Sequence, residues 1–100
     1  MSLTSAVGKR AIKETIVVLN EYASRNQDSF LVNDRQIAKK LGLELHHRSL
    51  ITKILRKMPN SEVWCVLERK TVFRMDSSSV IKVYDKFKEQ NLISQEPIVS

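Results

Sequence analysis

The spacing of apolar and polar residues predicts a long first helix followed by a short strand. Thr4 or Ser5 can cap the start of this helix. Residues 30–32, Phe-Leu-Val, form a short extended segment that could add a third strand to a hairpin elsewhere in the chain. Within residues 4–26, apolar side chains recur at the intervals of one face of an amphipathic helix, namely Ala11 or Ile12, Ile16, Leu19, Tyr22 and Ala23.

Two shorter helices are predicted next, on either side of a glycine. Asn33 or Asp34 can cap a helix over residues 35–41, and Gly42 suits the left-handed conformation that commonly follows a helix. A third helix is expected over residues 46–58, since Pro59 and Asn60 interrupt the pattern there. The apolar side chains of this helix share one face and are Leu50, Ile51, Ile54, Leu55 and Met58.

A hairpin and a fourth helix complete the pattern. Residues 63–67 and 71–75 are rich in β-branched and aromatic side chains, and the charged residues 68–70 between them predict a turn with a basic tip. Asp76, or a serine among residues 77–79, can cap a last helix that runs to about Asn91. Its inward side chains are expected to be Val80 or Ile81, Tyr84 and Phe87. We therefore expect one domain over residues 1–93 and a flexible tail over residues 94–100.

The order helix, strand, helix, helix, hairpin, helix resembles that of the winged helix-turn-helix proteins. The segment Ile37-Ala38-x-x-Leu41-Gly42, followed by Leu50 and Ile54-Leu55, resembles the helix-turn-helix signature. The turn after the glycine is about two residues longer than in the tight form of the motif, because Leu45 rather than Leu43 has the expected spacing to Leu50. The resemblance covers residues 30–76, and it implies an α+β, mainly α, winged-helix fold.

The resemblance also implies that the third helix lies in the major groove of duplex DNA. Successive helical residues lie about 100° apart, so the arc opposite the apolar face is polar or basic, and no acidic residue occurs over residues 46–58. Base contacts are predicted for His46, Ser49, Thr52 and Lys53, with His47 and Arg48 completing the basic start of the helix. Phosphate contacts are predicted for Arg56 and Lys57, for Arg69 and Lys70 at the hairpin tip, and for Lys39 and Lys40 on the preceding helix.

Charge and composition favour the same class of partner. Seventeen Lys and Arg against eleven Asp and Glu give a net charge of +6, which favours an anionic ligand. Only two glycines and two prolines argue against a β-sandwich and against disorder. The longest apolar run, residues 16–19, is too short for a membrane span, and no signal pattern is visible. A lone Cys65 suits a reducing interior, so a cytoplasmic, nucleoid-associated location is expected.

Other chemistry finds little support in the sequence. His46 and His47 point about 100° apart and Cys65 stands alone, so no metal site and no cofactor are expected. The chain has no glycine-rich phosphate loop, no nucleophile motif and no defensible carboxylate pair, so we expect no enzymatic activity. Trp64 and Phe73 could stack on bases, although strand alternation favours core packing for at least one of them.

The sequence therefore predicts a protein that binds duplex DNA in a sequence-specific manner as a dimeric transcriptional regulator. Val17 and Val18 widen the apolar surface of the first helix, so the subunit contact is predicted there and possibly on the last helix. Two alternatives stay open at this point. One is a DNA-binding module of a replication or partition assembly, and the other is a winged helix used for protein–protein interaction.

Overall fold

A computed structural model describes residues 6–43 and 48–90, which form an α+β structure that is mainly helical. The predicted order of elements is confirmed in these ranges. The caps predicted at Thr4 or Ser5, the start of the third helix at His46 and the tail over residues 94–100 lie outside the described residues. The elements are α1 (Ala6–Arg25), β1 (Ser29–Asn33), α2 (Asp34–Lys40), α3 (Arg48–Lys57), β2 (Glu62–Leu67), β3 (Lys70–Asp76) and α4 (Ser77–Glu89).

The three strands form one antiparallel sheet in the order β1-β3-β2. The expected third strand therefore exists, and it joins the second strand of the hairpin, which becomes the centre of the sheet. Across the sheet, Val32 and Val63 both stand opposite Phe73. The register of β2 against β3 shifts between Val63 and Cys65, so Trp64 is an extra residue at a β-bulge.

The hydrophobic core lies between one face of this sheet and the four described helices. Alternation along β1 and β3 turns every second side chain toward the helices, where apolar burial stabilises the fold. The predicted apolar faces of α1, α2 and α3 all meet there. The core contains Leu19, Phe30, Val32, Ile37, Ile51, Leu55, Phe73, Met75 and Val80, all buried.

The ends of α2 follow from residues that the sequence supplies at those positions. The Asn33 side chain accepts a hydrogen bond from the peptide N–H of Gln36 at 2.6 Å, so Asn33 is the N-cap and the Asp34 side chain is left for another role. At the other end, Gly42 has φ +72° and Leu43 donates its N–H to the Ala38 carbonyl. This is the Schellman arrangement, and it brings the half-buried Leu43 against the core.

Helices α1 and α4 pack on each other within the chain, which affects the surface predicted for a subunit contact. Val18 is buried in the core, and Val17 is half-buried. On α4, Val80 is buried while Ile81 is 36% exposed. Most of the apolar surface of α1 is therefore covered by other elements of its own chain.

Candidate nucleic-acid interface

Helix α3 presents one apolar and one basic face, as its sequence predicts. Ile51, Ile54 and Leu55 are buried against the core, and the apolar period of the helix fixes this orientation. The exposed side chains are those of Ser49, Lys53, Arg56 and Lys57. His46 and His47 lie outside the described residues, and so does the side chain of Arg48.

Thr52 has a different environment from its predicted partners on α3. It is half-buried, and its hydroxyl donates a hydrogen bond of 2.6 Å to Oδ2 of Asp34. Asp34 is only 2% exposed, and its Oδ1 accepts the peptide N–H of Thr71 at 3.1 Å. One buried carboxylate therefore joins the start of α2, the middle of α3 and the start of β3.

Three cations are sequence neighbours of the Asp34 junction, which is defined as Asp34, Thr52 and Thr71. Arg35 follows Asp34 in the chain, Lys53 follows Thr52, and Lys70 precedes Thr71. Because the three junction residues are bonded together, the backbone of each cation lies close to the same point. Arg35 and Lys53 are exposed, and Lys70 is half-buried.

A groove of about 680 Å³ runs between α2 and the turn of the β2–β3 hairpin. Its basic side chains come from two elements that are far apart in the sequence, and Glu68 is the one acid among the lining residues. Such a surplus of cations in a concave surface attracts an anionic ligand with several charges. The lining cations are Arg35, Lys39, Arg69 and Lys70.

Arg35 is a groove residue that the sequence analysis did not single out. It precedes Lys39 by four residues, and side chains with that spacing lie on the same face of a helix. This four-residue spacing to Lys39 is visible in the sequence and would have identified Arg35 as a candidate. Lys40 behaves differently from Lys39, because its Nζ lies 3.7 Å from Oε1 of Glu21 and 5.1 Å from the ring centre of Tyr22. The predicted phosphate contact of Lys40 would have to compete with these contacts to α1.

The two aromatic residues considered for base stacking lie in different environments. Phe73 is fully buried at the centre of the sheet, so core packing accounts for it. Trp64 is 58% exposed on β2. Cys65 beside it is a half-buried free thiol. In the described ranges, no three His, Cys, Asp or Glu side chains come close enough together to hold a metal ion.

Among the helices of residues 6–43 and 48–90, none combines the length and the apolar character that crossing a membrane requires. Comparison of the chain with protein-family models, with curated proteins and with solved structures gives no match.

Proposed function

We propose that this protein binds duplex DNA in a sequence-specific manner, with α3 in the major groove and the β2–β3 hairpin against the adjacent backbone. This is the winged-helix arrangement that the sequence resembles, and the order of elements and the three-stranded sheet are compatible with it. The exposed face of α3 carries only polar and basic side chains over the described positions.

The Asp34 junction is the observation that carries the proposal. Two basic surfaces, the outer face of α3 and the groove beside the hairpin turn, share one buried support. A duplex presents a base edge and a phosphate backbone at a fixed separation, so a protein that reads both gains from elements that cannot shift against each other. A solvated helix face alone would give no reason for a buried carboxylate to bond α3 to the strand beside the basic groove.

The residues divide into two roles in this proposal. Ser49 lies in the first turn of the described α3 and Lys53 about one turn later, and both are assigned to base edges. Thr52 is assigned a positioning role, because its hydroxyl bonds Asp34. The remaining cations are assigned to phosphates and are Arg56, Lys57, Lys39, Arg35, Arg69 and Lys70.

A dimeric regulator is part of the proposal. Two copies related by a twofold axis would offer two α3 helices to a palindromic site, about one helical turn apart. A module of a replication or partition assembly would use the same duplex-binding surface, so the residue-level predictions apply to both.

The proposal is tested by measuring duplex binding over a range of salt concentrations, first with random sequence and then with a selected site. Lys53→Ala should weaken binding to the selected site by about 1–3 kcal/mol and relax its sequence preference. Arg56→Ala should weaken all duplexes alike and reduce the slope of log affinity against log salt by about one.

Lys82→Ala is the matched control, because it removes the same charge from an exposed position on α4. It should leave both affinity and salt slope close to those of the parent. Equal losses in all three variants would mean that net charge alone drives binding. Unchanged binding in Lys53→Ala and Arg56→Ala would contradict the role of α3.

A further inference from the structure

Strand β2 carries most of the large apolar side chains that the described chain leaves in solvent. Of its six residues, Val63 is 44% exposed, Trp64 58%, Val66 70% and Leu67 47%. Large exposed apolar side chains grouped on one strand often mark a contact with another macromolecule. Scattered single residues would need no such explanation.

The position of β2 in the sheet adds a second reason. Among the strands of residues 6–43 and 48–90 it is an edge strand, so no described strand pairs with its backbone groups on the side away from β3. Proteins commonly protect such edges with lysine or proline, and residues 62–67 contain neither. The bulge at Trp64 raises the local twist, so regular pairing is available over residues 65–67, and Trp64 contributes its side chain.

The charge distribution favours a second copy of this chain over a nucleic acid as the occupant. The only charged residue of β2 is Glu62, whose Oε1 lies 3.1 Å from Nη1 of Arg74 on the central strand. A polyanion would therefore find no cation on β2, whereas two copies that meet over residues 63–67 bring no like charges together along these strands.

The nearly uncharged apolar surface of β2 is complementary to itself, as a contact related by a twofold axis requires. In such a contact each residue meets the same patch on the other copy, so a charged strand would oppose its own charge. An antiparallel pairing over the uncharged residues 65–67 has no such conflict, and the backbone groups of the two edges bond each other.

We propose that β2 is a self-association surface, at which β2 of one copy pairs antiparallel with β2 of a second copy and covers Trp64 and Val66. This contact differs from the one predicted on α1 and α4, where Val18 is buried within its own chain. The exposed cations of α3 lie on a different element from this contact, whereas Leu67 belongs both to β2 and to the lining of the groove beside α2.

Trp64 is the only tryptophan of the protein, so its fluorescence reports on this surface directly. Sedimentation and emission spectra are recorded on the full chain from about 1 to about 500 μM, a range that brackets the affinity of a small interface. The mass should rise from one copy to two, and the emission should move to shorter wavelength over the same concentrations. Both measurements use the unsubstituted protein, so they do not require that any variant folds.

Val66→Lys and Ile81→Lys form a matched pair, since both add one charge at an exposed apolar position. Val66→Lys should shift dissociation to at least ten-fold higher concentration, and Ile81→Lys should dissociate like the parent. Lys53→Ala should also self-associate normally, so failure of this proposal is distinct from failure of DNA binding.

Three results would overturn the proposal. The first is a one-copy mass with constant Trp64 emission across the whole series. The second is dissociation caused by Ile81→Lys but not by Val66→Lys, which would locate the contact on α4. The third is Trp64 emission that responds to added duplex and not to protein concentration, which would make β2 a nucleic-acid contact.

Discussion

Replacing Thr52 with valine should lower the free energy of unfolding by about 1.5–3 kcal/mol. The substitution removes a hydroxyl that donates a 2.6 Å hydrogen bond to Asp34, and it keeps the branched shape of the side chain. Hydrogen bonds to charged groups contribute about that much to stability. Asp34 is almost fully buried, so solvent can replace the lost donor only poorly.

A double-mutant cycle separates this bond from other effects of the substitution. Asp34→Ala should cost about 3 kcal/mol or more, since it also removes the acceptor of the Thr71 peptide N–H. Adding Thr52→Val to Asp34→Ala should then cost little, which gives a coupling energy of about 1.5–3 kcal/mol. Thr71→Val is the matched control. Thr71 contributes only its backbone N–H to the hydrogen bond with Asp34, so this variant should lose little stability.

Urea unfolding measures these free energies when the transition is two-state and the dependence on urea is unchanged between variants. The reasoning would be refuted if the two substitutions were additive within about 0.5 kcal/mol. It would also be refuted if Thr71→Val cost as much as Thr52→Val, because the loss would then reflect packing beside the hairpin rather than the carboxylate.

Two further predictions concern α1 and α4. The buried hydroxyl of Thr15 has no hydrogen-bond partner among the described residues, so Thr15→Val should raise the free energy of unfolding by about 1 kcal/mol, and a lower urea midpoint would contradict this. Hydroxyl donors on Ser79 and Ser78 hold the pKa of the Asp76 carboxyl below its ordinary value of 3.8. A carboxyl whose pKa is lower in the folded protein than in the unfolded chain stabilises the fold at pH values above its unfolded pKa. The parent protein should therefore lose this stabilisation as the pH falls below about 4. The Asp76→Asn variant keeps an N-cap that does not titrate. The difference in the free energy of unfolding between the parent and Asp76→Asn should therefore become smaller in acid. A difference that does not change with pH would contradict the stabilising role of the Asp76 carboxylate.

Local sequence signals were enough to predict the elements of this fold. The apolar period of residues 4–26, Gly42, and the pair Pro59 and Asn60 act over a few neighbouring residues, and the described helices follow them closely. Asp76 likewise caps α4, where its side chain accepts the N–H of Ser79. Such signals need no knowledge of the distant chain, which is why they are readable from the sequence.

Contacts between distant segments were not predictable in the same way. A helical projection puts Thr52 on the polar arc, but its actual partner is Asp34, a residue of another helix. Lys40 likewise contacts Glu21 and Tyr22 on α1. In both cases the side chain lies at the margin between two faces, and packing rather than periodicity determines which neighbour it meets.

The exposure of β2 shows a different limit of the pattern. The residues of β2 have the β-branched and aromatic composition of a buried strand. Such a composition predicts that a strand forms, whether or not another element covers it. Whether another element covers the strand depends on how far the helices extend over the sheet. Here the helices cover β1 and β3, and β2 extends beyond them, so the same apolar residues become surface.

The sheet order also governs when the protein can fold during its synthesis. Ser29 pairs with Asp76, so β1 leaves the ribosome long before its partner strand exists. Helix α1 can form from local contacts, but Phe30 and Val32 have no strand to pair with until β3 has been made. The entropic cost of closing this loop must be met before the pairing contributes any stability, and long-range pairing of this kind is therefore slow. The central strand is therefore the last one synthesised, and the core can close only when nearly the whole described chain is present.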